Sequence, residues 1–195
     1  MLDTYGRKYV NPFITVGAKG LLKLKLTPNM VSVIALVLGV LSSIFIYLDM
    51  GALAVIILWT SGYLDSVDGA MARMMNKSSA WGTLLDITFD RIVELGIILV
   101  LAIKFPESRL QLLILTMMIL ISMTIFLTVG ALAQNNGVKS FRYQAGVAER
   151  SEGFILFSFM ILLSSSYLSL ATNIFSIIIF ITIIQRAIEA KKLLR

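Results

Sequence analysis

Apolar stretches long enough to cross a bilayer recur six times along this chain, at about 30–49, 51–71, 80–103, 110–134, 147–166 and 168–187. Each is close to the ~20 helical residues that span the hydrocarbon core at 1.5 Å per residue. Two of them are interrupted. Asp86 and Asp90 fall near the start of the third, and only Ser164, Ser165, Ser166 and Tyr167 separate the fifth from the sixth. Charged residues make up 14% of the 195 and apolar ones 58%, far from a soluble composition in which about a quarter are charged. The expectation is an all-α polytopic membrane protein of one domain over 1–195. A juxtamembrane helix over 1–27 precedes a six-helix transmembrane bundle over 28–190.

The charges orient that bundle. If spans alternate, all but Lys104 and Arg109 of the 17 lysines and arginines collect on one side, together with both termini. By the positive-inside rule that side is cytoplasmic, so both termini and the loops after the second and fourth spans are expected there. The net charge of +6 is thereby explained by lipid headgroups, and no nucleic-acid-binding motif competes with that reading. Residues 1–25 have no uninterrupted apolar core, so they are not read as a signal peptide. Residues 4–25 interleave Arg7, Lys8, Lys19, Lys23 and Lys25 with Tyr5, Tyr9, Phe13, Ile14 and Val16, the pattern of a helix lying in the interface. Thr27 is the expected N-cap of the first span and Pro28 suits its first turn.

Four aspartates stand in a fixed frame within this apolar background: Asp65, Asp68, Asp86 and Asp90. Spacings of three and four put each pair on one face of its helix. The loop between the second and third spans is short, so the two helices are expected as antiparallel neighbours with four carboxylates at similar depth. A charge at that depth costs about 2.5–3.5 kcal/mol on insertion scales, and like charges raise the cost further. Divalent cations shared with a substrate phosphate would offset it, and two ions about 3.5–4 Å apart would clamp a diphosphate. The chain has no cysteine and no histidine, so any metal must take oxygen ligands, which favours magnesium, manganese or calcium. A general base near neutral pH must then be a carboxylate, a lysine or a tyrosine.

With Gly69, Ala72, Arg73 and Gly82 the aspartates spell D-x2-D-G-x2-A-R-x8-G-x3-D-x3-D. The small residues leave room beside the helix backbone, and Arg73 at the membrane edge is of a type that grips phosphate. All eight positions match the signature of the CDP-alcohol phosphatidyltransferases, a family that the chain resembles over essentially its whole length. The resemblance implies an enzyme, dependent on Mg2+ or Mn2+, that makes phospholipid. Such an enzyme moves a phosphatidyl group from CDP-diacylglycerol, or an ether-lipid analogue, to the hydroxyl of a small polar alcohol and releases CMP. By motif position it makes Asp65, Asp68, Asp86 and Asp90 metal ligands, with Asp90 also the proton acceptor. Gly69, Arg73 and Ser79 would contact the CDP moiety, as would the Asn29-Met30-Val31-Ser32 stretch after Pro28. It also implies a homodimer in a prokaryotic cell membrane with its active site on the cytoplasmic side.

Glu149-Arg150 and the Thr-Pro-Asn entry resemble the branch that makes phosphatidylinositol phosphate. The chain departs from that branch in having no basic residue over 128–134 and in reading Glu152-Gly153 where a second Glu-Arg is usual. Lys139, Arg142 and Arg150 are the candidate ligands for a phosphorylated acceptor, such as glycerol 3-phosphate or an inositol phosphate. Two other readings compete. A cation-coupled transporter would use the aspartates as its ion site, though the repeated halves typical of such proteins are missing. A non-catalytic CDP-lipid-binding protein would have little need of four aspartates.

Overall fold

The computed structural model describes residues 7–135, 150–163 and 165–194, all of them in helices and the short links between helices. They form two compact units, one within Gly6–Lys104 and one within Phe105–Arg195.

The first unit holds α1 (Arg7–Lys23), α2 (Pro28–Tyr47), α3 (Gly51–Met74) and α4 (Ala80–Lys104). Thr27 caps α2 as expected: the Met30 N–H donates to its Oγ1 at 3.3 Å, and Pro28 occupies the first turn, where its missing N–H has no helical partner to lose. The ends of α1, α2 and α3 share one device. Lys25, Asp49 and Asn76 take left-handed φ values of 60°, 62° and 52°. The next residue's N–H then reaches back five positions, from Leu26 to Leu21, Met50 to Phe45 and Lys77 to Ala72, closing each helix abruptly. Lys104 adds a charge to the end of α2, where the helix dipole is negative. Its ammonium donates to the carbonyls of Ile46, at 2.7 Å, and Tyr47 and pairs with Asp49.

α2 is the hub of this unit. Both α3 and α4 pack far more closely on α2 than on each other, so the two aspartate helices, expected as antiparallel neighbours, are held side by side mainly through α2. Small residues make the hub possible. A Cβ on Gly39 would lie 2.3 Å from Val93 of α4 and 3.0 Å from Ser61 of α3. The buried Ser61 and Ser42 hydroxyls donate to the carbonyls of Ala35 and Ala54, at 2.7 and 2.9 Å. Such exchanges hold apolar helices together where the hydrophobic effect between them is weak. α1 covers the other side of α3, burying Ala18 with Val31, Val67, Ala70 and Met71.

In the second unit a short 3-10 turn (Pro106–Ser108) leads into α5 (Arg109–Asn135), and α6 (Arg150–Leu162) and α7 (Ser165–Leu193) follow. α7 packs along α5 and also receives α6, where the rings of Phe157 and Phe175 meet edge to face at 5.2 Å. Ser108 and Ser169 share a hydrogen bond of 2.8 Å near the starts of α5 and α7.

Three helical stretches among the described residues are long and apolar enough to cross a membrane: Pro28–Tyr47, Pro106–Leu132 and Tyr167–Leu193. Six were expected, and the shortfall has two physical causes. α3 and α4, of 24 and 25 residues, have the length, but their aspartates and basic residues dilute the apolar run. α6 has 13 residues, about 20 Å of helix, and residues 147–149 of the expected fifth span lie outside those described.

Candidate active site

Asp65 and Asp68 lie on the last three turns of α3 and are buried, at 7% and 6% exposure. Asp86, near the start of α4, is half-buried. One carboxylate oxygen from each of these three lies within 4.8 Å of the other two. Because α3 ends sharply at Asn76 and α4 starts at Ala80, the chain returns to the same level within one short link, and that sets Asp86 opposite the first pair. Three hard, anionic oxygens at this spacing suit Mg2+ or Mn2+, whose oxygen ligands sit about 2.0–2.2 Å away. Asp90, one turn further along α4 and also half-buried, is outside the convergent trio.

Around the trio the small residues of the frame have distinct surroundings. A Cβ on Gly69 would come within 3.3 Å of Arg73 Nη1, so the exposed Arg73 guanidinium folds back over the glycine, toward the aspartate-bearing turn. Ser79 is the N-cap of α4. Its Oγ accepts the Gly82 N–H at 3.0 Å, and Thr83 Oγ1 donates to its carbonyl at 3.3 Å. Its hydroxyl proton is not consumed by that cap, so a structural role and a ligand contact are compatible.

The Asn29-Met30-Val31-Ser32 stretch divides. Asn29 and Met30 are exposed at the start of α2, and Ser32 is half-buried with its hydroxyl donating to the Pro28 carbonyl at 3.2 Å. Val31, at 1% exposure, is packed between Ala18, Val67 and Met71, which takes it off any ligand-facing surface. Lys139 and Arg142 lie outside the described residues. Arg150 opens α6, half-buried, with its guanidinium 5.9 Å from the Phe154 ring.

Two arrangements escape sequence reasoning. Arg91, next to Asp90 in the chain, and Glu94, one turn on, form a two-pronged pair at 2.6 and 2.5 Å; their i,i+3 spacing was the available signal. In the second unit Arg186 is buried at 8%, donating to the Ser122 carbonyl and hydroxyl at 3.1 and 2.9 Å beside the Phe126 ring. Counting it among the cytoplasmic charges hid that role, although no other basic residue falls inside the last apolar run.

Three helices apolar enough to cross a membrane, together with a convergent set of carboxylates, mark an integral membrane protein with a candidate site for a hard cation. The chain belongs to the CDP-alcohol phosphatidyltransferase family, whose model matches residues 25–186, across both units. It is similar to the archaetidylinositol phosphate synthase of Pyrococcus horikoshii, with 32% identity over 98% of this chain and 97% of that one. Its fold is that of the phosphatidylinositol phosphate synthase of Mycobacterium tuberculosis. The crystal structure of that enzyme with CDP-DAG bound matches 91% of this chain and 92% of its own at a TM-score of 0.71 and 24% identity. The same enzyme in complex with manganese and citrate matches at 0.72, also over 91% of this chain, and over 88% of its own. The chain is therefore a transferase of phospholipid biosynthesis, and the transporter and non-catalytic readings fall away.

Proposed function

We propose that this protein transfers a phosphatidyl-type group from CDP-diacylglycerol, or its ether-lipid analogue, to a hydroxyl of an inositol phosphate, with CMP as the second product. The convergence of the Asp65, Asp68 and Asp86 oxygens carries the reaction type. The acceptor class rests on the names of the relatives, since the P. horikoshii and M. tuberculosis proteins are both inositol phosphate lipid synthases. Glycerol 3-phosphate is the next candidate.

Asp65, Asp68 and Asp86 would hold the first Mg2+ or Mn2+, and Asp90 would share in a second. Such ions, when bound, neutralise the diphosphate and the charge that develops on departing CMP. Arg73 grips a phosphate oxygen from the membrane edge, over the space that Gly69 leaves. Asn29, Met30, Ser32 and Ser79 line the nucleotide and glycerol end of the donor. Asp90 takes the proton of the acceptor hydroxyl as its oxygen bonds to the lipid-bearing phosphorus, and the bond from that phosphorus to CMP breaks. Arg150, with Lys139 and Arg142, binds the acceptor's own phosphate.

One catalytic domain then runs over 1–195, with six spans, α1 in the interfacial plane and both termini on the cytoplasmic side of a prokaryotic cell membrane. Two copies form the working dimer. The experiment is CMP release by purified protein with Mg2+ or Mn2+. Inositol phosphate, glycerol 3-phosphate, serine and inositol are each offered with CDP-diacylglycerol and with a CDP-activated ether lipid. Release with inositol phosphate alone is expected. Release that is equal without any acceptor, or strongest with an unphosphorylated alcohol, would overturn the acceptor assignment.

A further inference from the structure

α1 carries four basic residues and no acidic one in 17 positions. Within it Phe13 and Val16, one turn apart, are 72% and 71% exposed, and Lys19 and Lys23 are exposed beside them. Leu24 and Lys25 continue the pattern past the helix end. An apolar strip bordered by lysines on a helix attached to apolar spans fits an anionic bilayer surface. The rings and methyls enter the acyl boundary while the ammonium groups meet lipid phosphates.

The opposite side of α1 sits on the aspartate helix itself. Tyr63 Oη donates to the Phe13 carbonyl at 3.0 Å, and a Cβ on Gly17 would lie 2.3 Å from Tyr63 Oη and 3.2 Å from Val67. Ala18 is fully buried in the cluster with Val67 and Met71. Tyr63, Val67 and Met71 alternate along α3 with Asp65 and Asp68, so the turns that present the carboxylates are the turns on which α1 rests.

From this juxtaposition we propose that α1 is an anionic-lipid-binding splint: its hold on the membrane surface sets how firmly it seats on α3, and thereby the cation affinity of the Asp65–Asp68 turns. Gly17 and Tyr63 are positioning residues in this scheme, because neither touches the ion. The inference rests on the metal-site reading above and extends it to control by lipid charge.

The test measures Mn2+ affinity by electron paramagnetic resonance of the full-length protein without substrate. The protein is reconstituted in phosphatidylcholine vesicles and in vesicles mixed with phosphatidylglycerol. Anionic vesicles concentrate Mn2+ by themselves, so each comparison is made against a variant in the same vesicles. In mixed vesicles the parent is expected to bind Mn2+ several-fold more tightly than the Lys19→Gln/Lys23→Gln/Lys25→Gln variant, and in neutral vesicles the two are expected to match. Gly17→Val should lower affinity to the triple variant's level and abolish the response to phosphatidylglycerol. Gly17→Ala serves if the valine variant loses its helical circular dichroism. Equal affinities of parent and triple variant in mixed vesicles would overturn the proposal, as would parent-like affinity in a folded Gly17 variant. Inorganic phosphate that tightens the parent equally in neutral vesicles would assign the lysines to a soluble anion and overturn it as well. A parent that binds no Mn2+ in either vesicle would sink the metal reading itself, a separable outcome.

Discussion

At the residue scale the four aspartates divide by what their neutralisation should remove. Asp65, Asp68 and Asp86 present converging oxygens, so Asp65→Asn or Asp86→Asn should weaken Mn2+ binding by at least about tenfold, measured directly on the protein. Asp90, one turn along α4 from Asp86, is not among them. Asp90→Asn should keep Mn2+ bound to the trio while CMP release falls by about 10²–10⁴-fold, the usual contribution of a general base. Near-normal turnover in that variant would remove Asp90 from its proton-accepting role. Gly69→Ala is a finer probe, since its methyl must displace a guanidinium 3.3 Å away. A several-fold rise in KM for the CDP-lipid with little change in kcat is the expected result. The aspartates were legible in the sequence because i,i+3 and i,i+4 spacing fixes a shared helix face whatever the tertiary structure. Val31 was not, because adjacent residues of a helix point in different directions, and only packing reveals that this one faces Ala18 and Met71.

At the scale of elements, helix ends and small-residue contacts set the geometry. Thr27→Ala removes the side-chain acceptor for Met30 N–H and should cost about 1 kcal/mol, seen as a lower thermal midpoint in detergent. Gly39→Ala should cost about 1–3 kcal/mol by forcing Val93 and Ser61 away from α2. A thermal midpoint equal to the parent's would show that the α2 hub tolerates a wider separation. The positions of all six expected spans have helical counterparts, and the Thr27 cap was readable from local chemistry. The hub was not. The loop between α3 and α4 is short enough to suggest that they pair, yet Gly39, Ser42 and Ser61 draw both toward α2. Such contacts between helices leave no periodic trace in a sequence that is apolar nearly all round.

For the whole molecule, the charge asymmetry makes a claim about sidedness that the absence of cysteine makes easy to test. Single cysteines placed at Lys77 and at Glu107 should label from opposite faces of sealed vesicles, Lys77→Cys from the cytoplasmic one. Labelling of both from one face would break the six-span arrangement. Hydropathy located the helices but not which of them are apolar enough to cross a membrane: α3 and α4 lose apolar character to the very residues that suit them for chemistry. Arg186 shows the reverse blindness, because a basic residue that reads as a topology marker lies buried against Ser122. The candidate acceptor residues were the least legible feature, since Lys139 and Arg142 lie outside the described residues and no helical spacing in the sequence ties them to Arg150.

The most direct trial is anomalous scattering from a crystal of this protein grown with Mn2+. An ion bonded by oxygens of Asp65, Asp68 and Asp86 is the predicted result. Well-ordered carboxylates with no manganese among them at saturating concentration, or manganese held only elsewhere, would contradict the account.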